Sequence, residues 1–217
     1  MKPHKFYNIY LDGKRLLTKN LVKGSSFDEQ LIKEKGEEYR IWDPKRSKLA
    51  AALVKGISQI GLKPGDIVLY LGASYGYTPS FVSDIVGEEG FVFALDFAPR
   101  STRDLYFLCL KRKNMTPLLE DAFHPENYKD KIIEVDFLYQ DIAQRNQAEI
   151  FIKNLQFLKK GGFAVLCIKA SSIDVTKRPK DVFNQVKNYL EDKITIVDYR
   201  TLEPFEMDHC IFVCKKK

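Results

Sequence analysis

Four short runs in this chain are apolar almost from end to end: Ile67–Leu71, Phe91–Asp96, Val135–Tyr139 and Phe163–Ile168. A strand of that kind has no face suited to water, so it must be covered on both sides. That demand is met by a parallel sheet with helices packed above and below. The intervening segments read as helices: one entered at Thr78-Pro79 and closed at Gly87, one from about Pro99 to Lys113, one containing Ile152, Leu155 and Leu158 and stopped by Gly161-Gly162, and one from about Lys180 to Leu190. A short strand is expected near Pro117–Leu119, and a closing pair, Ile194–Asp198 and His209–Cys214, adds one antiparallel strand. The expected fold is therefore α/β and Rossmann-like, a doubly wound sheet whose ligands sit at the carboxyl ends of its strands.

The start of the chain follows other rules. Phe6–Leu11 reads as a strand, Asp12-Gly13 as a hairpin turn, Arg15–Thr18 as the returning strand, and Glu38–Trp42 as extended. At Asp43-Pro44 a helix is expected, with Asp43 as N-cap, Pro44 in the first turn, and Leu49, Leu53, Ile57 and Ile60 as its apolar stripe up to Gly61. The reading divides the chain into a small β-rich domain, 1–42, and a larger α/β domain, 43–217.

Bulk properties exclude several classes. At 217 residues with 45% hydrophobic content, the chain can bury a sizeable core. No apolar run reaches the ~18–20 residues needed to cross a membrane, and the basic Met1–Lys5 lacks the apolar segment of a signal peptide, so a cytoplasmic protein is expected. Cys109, Cys167, Cys210 and Cys214 show no CxxC spacing and read as reduced, buried thiols. The three histidines are scattered, and no metal site is expected. The net charge of +6 comes partly from clusters at Lys45-Arg46-Ser47-Lys48, Lys111-Arg112-Lys113, Lys159-Lys160, Lys177-Arg178 and Lys215-Lys216-Lys217, which permit a polyanionic partner.

The strand ends carry the chemistry. The first ends in the turn Gly72-Ala73-Ser74-Tyr75-Gly76, the second at Asp96-Phe97, the third at Glu120-Asp121-Ala122, the fourth at Asp141-Ile142-Ala143-Gln144, the fifth at Lys169; the antiparallel last strand starts at His209 on the same rim. Asp96 lies about 20 residues past Gly76, the spacing at which an acid binds ribose hydroxyls in dinucleotide folds. Phe97 could stack on an adenine, and Asp121 could accept from its amino group. The turn lacks G-x-G-x-x-G and a P-loop lysine, which disfavours a pyrophosphate ligand; a charged nucleoside such as S-adenosylmethionine fits better. A second reading exists. Gly72-x-Ser74-x-Gly76 matches a nucleophile elbow, and Ser74, then Asp141 or Asp174, then His209 follow the order of a serine hydrolase, although no second glycine-rich segment lies upstream.

Several longer segments agree with one family. Asp43-Pro44-x-Arg46-Ser47-Lys48-Leu49-Ala50-Ala51-Ala52, Val82-Ser83-Asp84-Ile85-Val86-Gly87, Asp141-x-Ala143-Gln144, Ile173-Asp174-x-Thr176 and Leu202-Glu203-Pro204-x-Glu206-x-Asp208-His209 resemble, in order, the motifs of fibrillarin, the 2′-O-methyltransferase of box C/D ribonucleoproteins. The resemblance covers essentially the whole chain and is to the short, archaeal-type form, without the Gly/Arg-rich tail of eukaryotic fibrillarins. It implies a class I S-adenosylmethionine-dependent methyltransferase fold, seven-stranded with the last strand antiparallel. It implies guide-RNA-directed ribose methylation of rRNA, and of tRNA as a further substrate. The catalytic set would be Lys48, Asp141, Lys169 and His209. Lys169 would take the ribose proton, Asp141 would orient it and help place the methyl group, and His209 would support the ribose or the lysine. Cofactor contacts would come from Gly72, Ala73, Tyr77, Thr78, Asp96, Phe97, Asp121, Ala122, Asp141 and Gln144. The implied partners are a box C/D guide RNA and its target RNA, a Nop-domain scaffold protein and a kink-turn-binding ribosomal-type protein.

The turn after the first strand departs from the family's usual Gly-Ala-Ala-Ser-Gly-Thr-Thr. Tyr77 stands where the first threonine is expected, and Tyr75 replaces a serine. A backbone contact would survive the change at Tyr77, a short hydroxyl contact would not, and Tyr75 is expected to narrow the pocket. The alternative that follows is a non-catalytic ribonucleoprotein scaffold that has lost its cofactor.

Overall fold

A computed structural model describes residues 1–217. The chain opens with five strands, β1 (Lys2–Pro3), β2 (Ile9–Asp12), β3 (Arg15–Lys19), β4 (Leu31–Glu34) and β5 (Glu37–Ile41), paired antiparallel in the order β1-β2-β3-β5-β4. The Asp12-Gly13 hairpin is present. β2 starts later than the apolar run from Phe6 implies, because Asn8 takes a left-handed φ of 53° and donates from Nδ2 to the Ile85 carbonyl at 2.7 Å. The β4–β5 hairpin turns at Lys35-Gly36, both at positive φ; a lysine there gives no turn signal in the sequence.

Helix α1 (Lys48–Val54) follows. It does not begin at Asp43-Pro44. Asp43 instead closes a turn, accepting from Lys45 N through its side chain and from Arg46 N through its carbonyl. Ser47, in extended conformation, is the cap, and its Oγ accepts from Ala50 N at 3.3 Å. The helix stops before Ile57 and Ile60, which are nonetheless buried.

The rest alternates as expected: β6 (Ile67–Leu71), α2 (Tyr77–Val86), β7 (Phe91–Asp96), α3 (Pro99–Lys111), β8 (Met115–Leu119), β9 (Val135–Asp141), α4 (Gln147–Asn154), β10 (Leu158–Lys169), α5 (Ala170–Ile173), α6 (Pro179–Glu191), β11 (Thr195–Thr201) and β12 (His209–Lys215). The seven strands lie in the order β11-β12-β10-β9-β6-β7-β8, and only β12 runs antiparallel to its neighbours. One correction concerns Leu155, Leu158 and the glycines. The fourth helix ends at Asn154, a 3₁₀ turn covers Leu155–Phe157, and Leu158 already belongs to β10. Gly161 (φ 73°) and Gly162 lie in an irregular stretch of that strand, where the register against β9 shifts between Leu158 and Phe163.

Successive strand residues point to opposite faces, and each face is covered. Val68, Tyr70, Val92, Tyr139 and Val165 pack under α1, α2, α3 and the N-terminal sheet; Leu69, Leu71, Leu138, Leu166 and Phe212 pack under α4 and α6. Cys167, Cys210 and Cys214 are buried and Cys109 half-buried, all as free thiols.

The N-terminal sheet is joined to this body through buried charge. Arg40 of β5 donates to Glu29 Oε1 at 2.6 Å, Asp84 Oδ2 at 2.8 Å and Ser80 Oγ at 2.9 Å, and Arg112 donates to Asp84 Oδ1 at 2.6 Å. Burial alone would raise the Glu29 pKa, but the Arg40 guanidinium, the Ser25 hydroxyl and backbone N–H groups outweigh it and bring it down to about 2. The folded pKa is thus depressed below the ordinary 4.5, so this carboxylate stabilises the fold fully above about pH 4.5 and loses that contribution as the pH falls toward 2. Glu29→Gln is expected to remove an acid-sensitive component of about 3 kcal/mol, seen as a flatter dependence of the urea midpoint on pH between about 4.5 and 2. Equal slopes for the two proteins would contradict this.

Candidate active site

Strand register assembles the rim. Asp141 at the end of β9 lies opposite Cys167 of β10, and Lys169 lies opposite His209 of β12. Side chains two residues apart share a face, so Tyr139, Asp141, Cys167, Lys169, His209 and Ile211 all fall on the side covered by α1. Lys48, the first residue of α1, reaches that side, and its Nζ is 2.9 Å from Asp141 Oδ2. The four residues that the resemblance implies are thus brought to one edge of one face.

Their states differ. Burial works against the Lys48 charge, but the Asp141 carboxylate, with smaller help from neighbouring groups, more than compensates and raises its pKa above the ordinary lysine value. Lys48 is therefore a fixed ammonium. Lys169 is half-buried, and its amine forms no ion pair and no hydrogen bond within the chain, whereas its backbone is held firmly: its N–H donates to Gln147 Oε1 at 3.0 Å and its carbonyl accepts from Gln147 Nε2 at 3.1 Å. His209 Nδ1 lies 2.6 Å from the Met207 carbonyl, which can only accept, so Nδ1 carries a proton; when the ring is uncharged, Nε2 is the acceptor.

Beside this rim is a cleft of 220 Å³ lined by Gly72, Ser74, Leu95, Asp96, Phe97, Glu120, Asp121, Ala122, Asp141, Ile142, Ala143 and Gln144. Gly72 is required at its position. Its φ is 82°, and a Cβ there would lie 2.2 Å from the Asp141 carbonyl oxygen. Asp96 holds the turn: Oδ2 accepts from Ser74 N at 2.7 Å, and Oδ1 accepts from Ala98 N at 2.9 Å. Ala98, not Asp96, is the N-cap of α3. A carboxylate has about four acceptor sites, so Asp96 retains capacity for ligand hydroxyls. Phe97 stands at the mouth with 64% of its surface exposed, a flat apolar face with no partner in the chain. Four carboxylates line the walls, of which Glu120 is paired with Lys131 and Asp141 with Lys48. An apolar mouth above excess negative charge suits a flat heterocycle carrying hydroxyls and a cation.

Seven of the expected ligand contacts line this cleft: Gly72, Asp96, Phe97, Asp121, Ala122, Asp141 and Gln144. Three do not. Ala73 is buried in the core; the Tyr77 ring is turned toward Phe27, Phe81 and Arg46; and Thr78 Oγ1 donates to Ser47 Oγ at 3.0 Å. Tyr75 packs on Phe27 away from the cleft and does not narrow it. Glu120, Ile142 and Ala143 are wall residues legible only as neighbours of Asp121 and Asp141. Gln147, which also donates to the Gln144 carbonyl at 2.7 Å, had no signal at all, since a glutamine in a helix ordinarily faces water. The hydrolase arrangement fails on distance. Ser74 follows β6 and His209 opens β12, with β9 and β10 between them, a separation of about 14 Å at ordinary strand spacing.

Known proteins resemble this chain over essentially its whole length. The family model described as Fibrillarin matches residues 1–217. A fibrillarin-like rRNA/tRNA 2′-O-methyltransferase of Methanocaldococcus jannaschii is 50% identical over 96% of this chain and 94% of its own length. Aeropyrum pernix fibrillarin, solved with natively bound S-adenosyl-L-methionine, is 41% identical with a TM-score of 0.90, covering 98% of this chain and 96% of that one. A fibrillarin solved in a fibrillarin/Nop5p complex is 38% identical with a TM-score of 0.91, covering 99% of this chain and all (100%) of that one.

Gly72→Ala is expected to push the turn off Asp141, lower the melting midpoint and abolish the heat of S-adenosylmethionine binding in calorimetry. Wild-type binding by this variant would show that the close approach is dispensable.

Proposed function

Because this chain belongs to the fibrillarin family, we propose that it transfers the methyl group of S-adenosylmethionine to a ribose 2′-hydroxyl of RNA. We place it as the catalytic subunit of a box C/D ribonucleoprotein in the cytoplasm, acting on rRNA and tRNA. The observation that carries this reading is the convergence of Lys48, Asp141, Lys169 and His209 on one rim beside a carboxylate-lined cleft. Asp96 and Asp121 would hold the ribose and adenine parts of the cofactor, and Phe97 would cover the adenine. When bound, the cofactor supplies an electrophilic methyl group on a sulfonium.

The protein's own part is to place the nucleophile and take its proton. Asp141 presents negative charge toward the sulfonium and is itself immobilised by Lys48. Lys48, kept charged by that carboxylate, cannot accept a proton. Lys169 is the amine on the rim that no carboxylate engages, and in its uncharged form it takes the hydroxyl proton and becomes the ammonium. His209 Nε2, free to accept, orients the ribose. The basic clusters attract the RNA backbone, while the fold contains no base-reading module. Sequence choice therefore rests with a guide RNA, held by a Nop-domain scaffold and a kink-turn-binding protein. The scaffold-only alternative loses its basis, since Tyr75 and Tyr77 leave the cleft open.

In a complex reconstituted with scaffold, kink-turn protein and guide RNA, Lys169→Ala is expected to lower methyl transfer to a matched target by about 10²–10⁴-fold while S-adenosylmethionine binding is retained. Near-wild-type transfer by that variant would overturn the assignment. The chain alone is expected to bind cofactor and methylate RNA poorly, measured by tritiated methyl incorporation.

A further inference from the structure

The ring of Tyr77 has a task outside the cleft. It packs against Phe27 and Phe81 with centroids 5.4 and 5.2 Å away, and the Arg46 guanidinium lies 4.1 Å over it. Its hydroxyl accepts a long hydrogen bond, 3.4 Å, from Asp43 N. The next residue, Thr78, donates to Ser47, the cap of α1. Two consecutive residues of α2 thus grip positions 43, 46 and 47, and position 48 is the lysine paired with Asp141. At its other end the same turn presses Gly72 against the Asp141 backbone. The segment 72–78 therefore touches the backbone supports of both members of the ion pair.

We propose that Tyr77 is a positioning residue for Lys48. It clamps the 43–47 turn through Arg46, so that the ammonium meets Asp141 in the geometry that methyl transfer requires. This role rests on the methyltransferase reading above. It places Tyr77 outside cofactor recognition, because its side chain does not line the cleft. Misplacing a reacting group by a fraction of an ångström acts on the rate, whereas losing a cofactor contact acts on affinity.

The test uses the complex reconstituted with scaffold, kink-turn protein and guide RNA, and measures kcat and KM for S-adenosylmethionine. Tyr77→Thr is expected to lower kcat by about tenfold with KM within about twofold of wild type. Tyr77→Phe, which keeps the ring under Arg46, is expected to stay within about threefold of wild type in kcat. Arg46→Ala is the second arm: the residue is exposed, so the variant folds even if Tyr77→Thr does not. It is expected to lower kcat in the same way, and combining it with Tyr77→Thr is expected to add little further. A raised KM with unchanged kcat in Tyr77→Thr, unaltered kinetics in Arg46→Ala, or fully additive effects would each overturn the positioning role. A wild-type complex that binds cofactor but transfers no methyl group would instead overturn the methyltransferase reading, and the positioning role with it.

Discussion

The approach of the N-terminal sheet to the rest of the molecule converges on one carboxylate. Asp84 of α2 accepts from Arg40 of β5, Arg112 beyond α3, the Thr18 hydroxyl of β3 and the Leu21 backbone N–H, and the side chains of Asp84 and both arginines are wholly buried. Two cations and two anions, counting Glu29, balance there. The arrangement is sensitive for that reason: losing one member leaves the others charged in a medium that cannot solvate them, a penalty of about 3–5 kcal/mol. Every residue of α2 is buried. With the helix fixed at Asp84, its other end, the turn from Gly72 to Thr78, is fixed too. The site inherits its rigidity from an ion cluster on the far side of the helix.

Around that turn the labour is divided. Carboxylates line the cleft, while the lysines stand apart in two conditions, one tied to Asp141 and the other without a partner. The antiparallel β12 makes this possible. A strand running parallel to its neighbours would present only its last residues to the rim, whereas β12 presents its first, and so delivers His209 next to Lys169.

Most of this layout was legible because apolar runs and strand ends are local signals. Val68 to Leu71 can only be a strand covered on both faces, and Asp96, Asp121, Asp141, Lys169 and His209 then fall on one rim by counting. What was not legible depends on distant partners. Asp43 and Ser47 are both competent caps; Asp43 is used for a turn because the chain must first bend from β5 toward α1. Leu155 and Leu158 have helical spacing, yet the carbonyls of both accept from Lys216, which arrives from beyond β12 and ties this segment to the neighbouring strand. The direction of the Tyr77 ring is decided by Phe27 and Arg46, from segments that carry no sign of meeting it. Gln147 is found only once the ends of β9 and β10 are seen side by side.

β12 follows β11 in the chain but lies inside it, between β11 and β10, and six of its seven residues are buried. It completes the sheet by insertion rather than by addition at an edge. On the ribosome the cleft-bearing strands β6, β7 and β9 emerge first, and they can pair before His209 has been synthesised. Until β12 enters, β10 and β11 have no common neighbour and Lys169, although held by Gln147, lacks His209 beside it. A nascent chain can thus form the carboxylate-lined cleft well before it has the rim proposed to be catalytic, so completion of that rim coincides with completion of the fold.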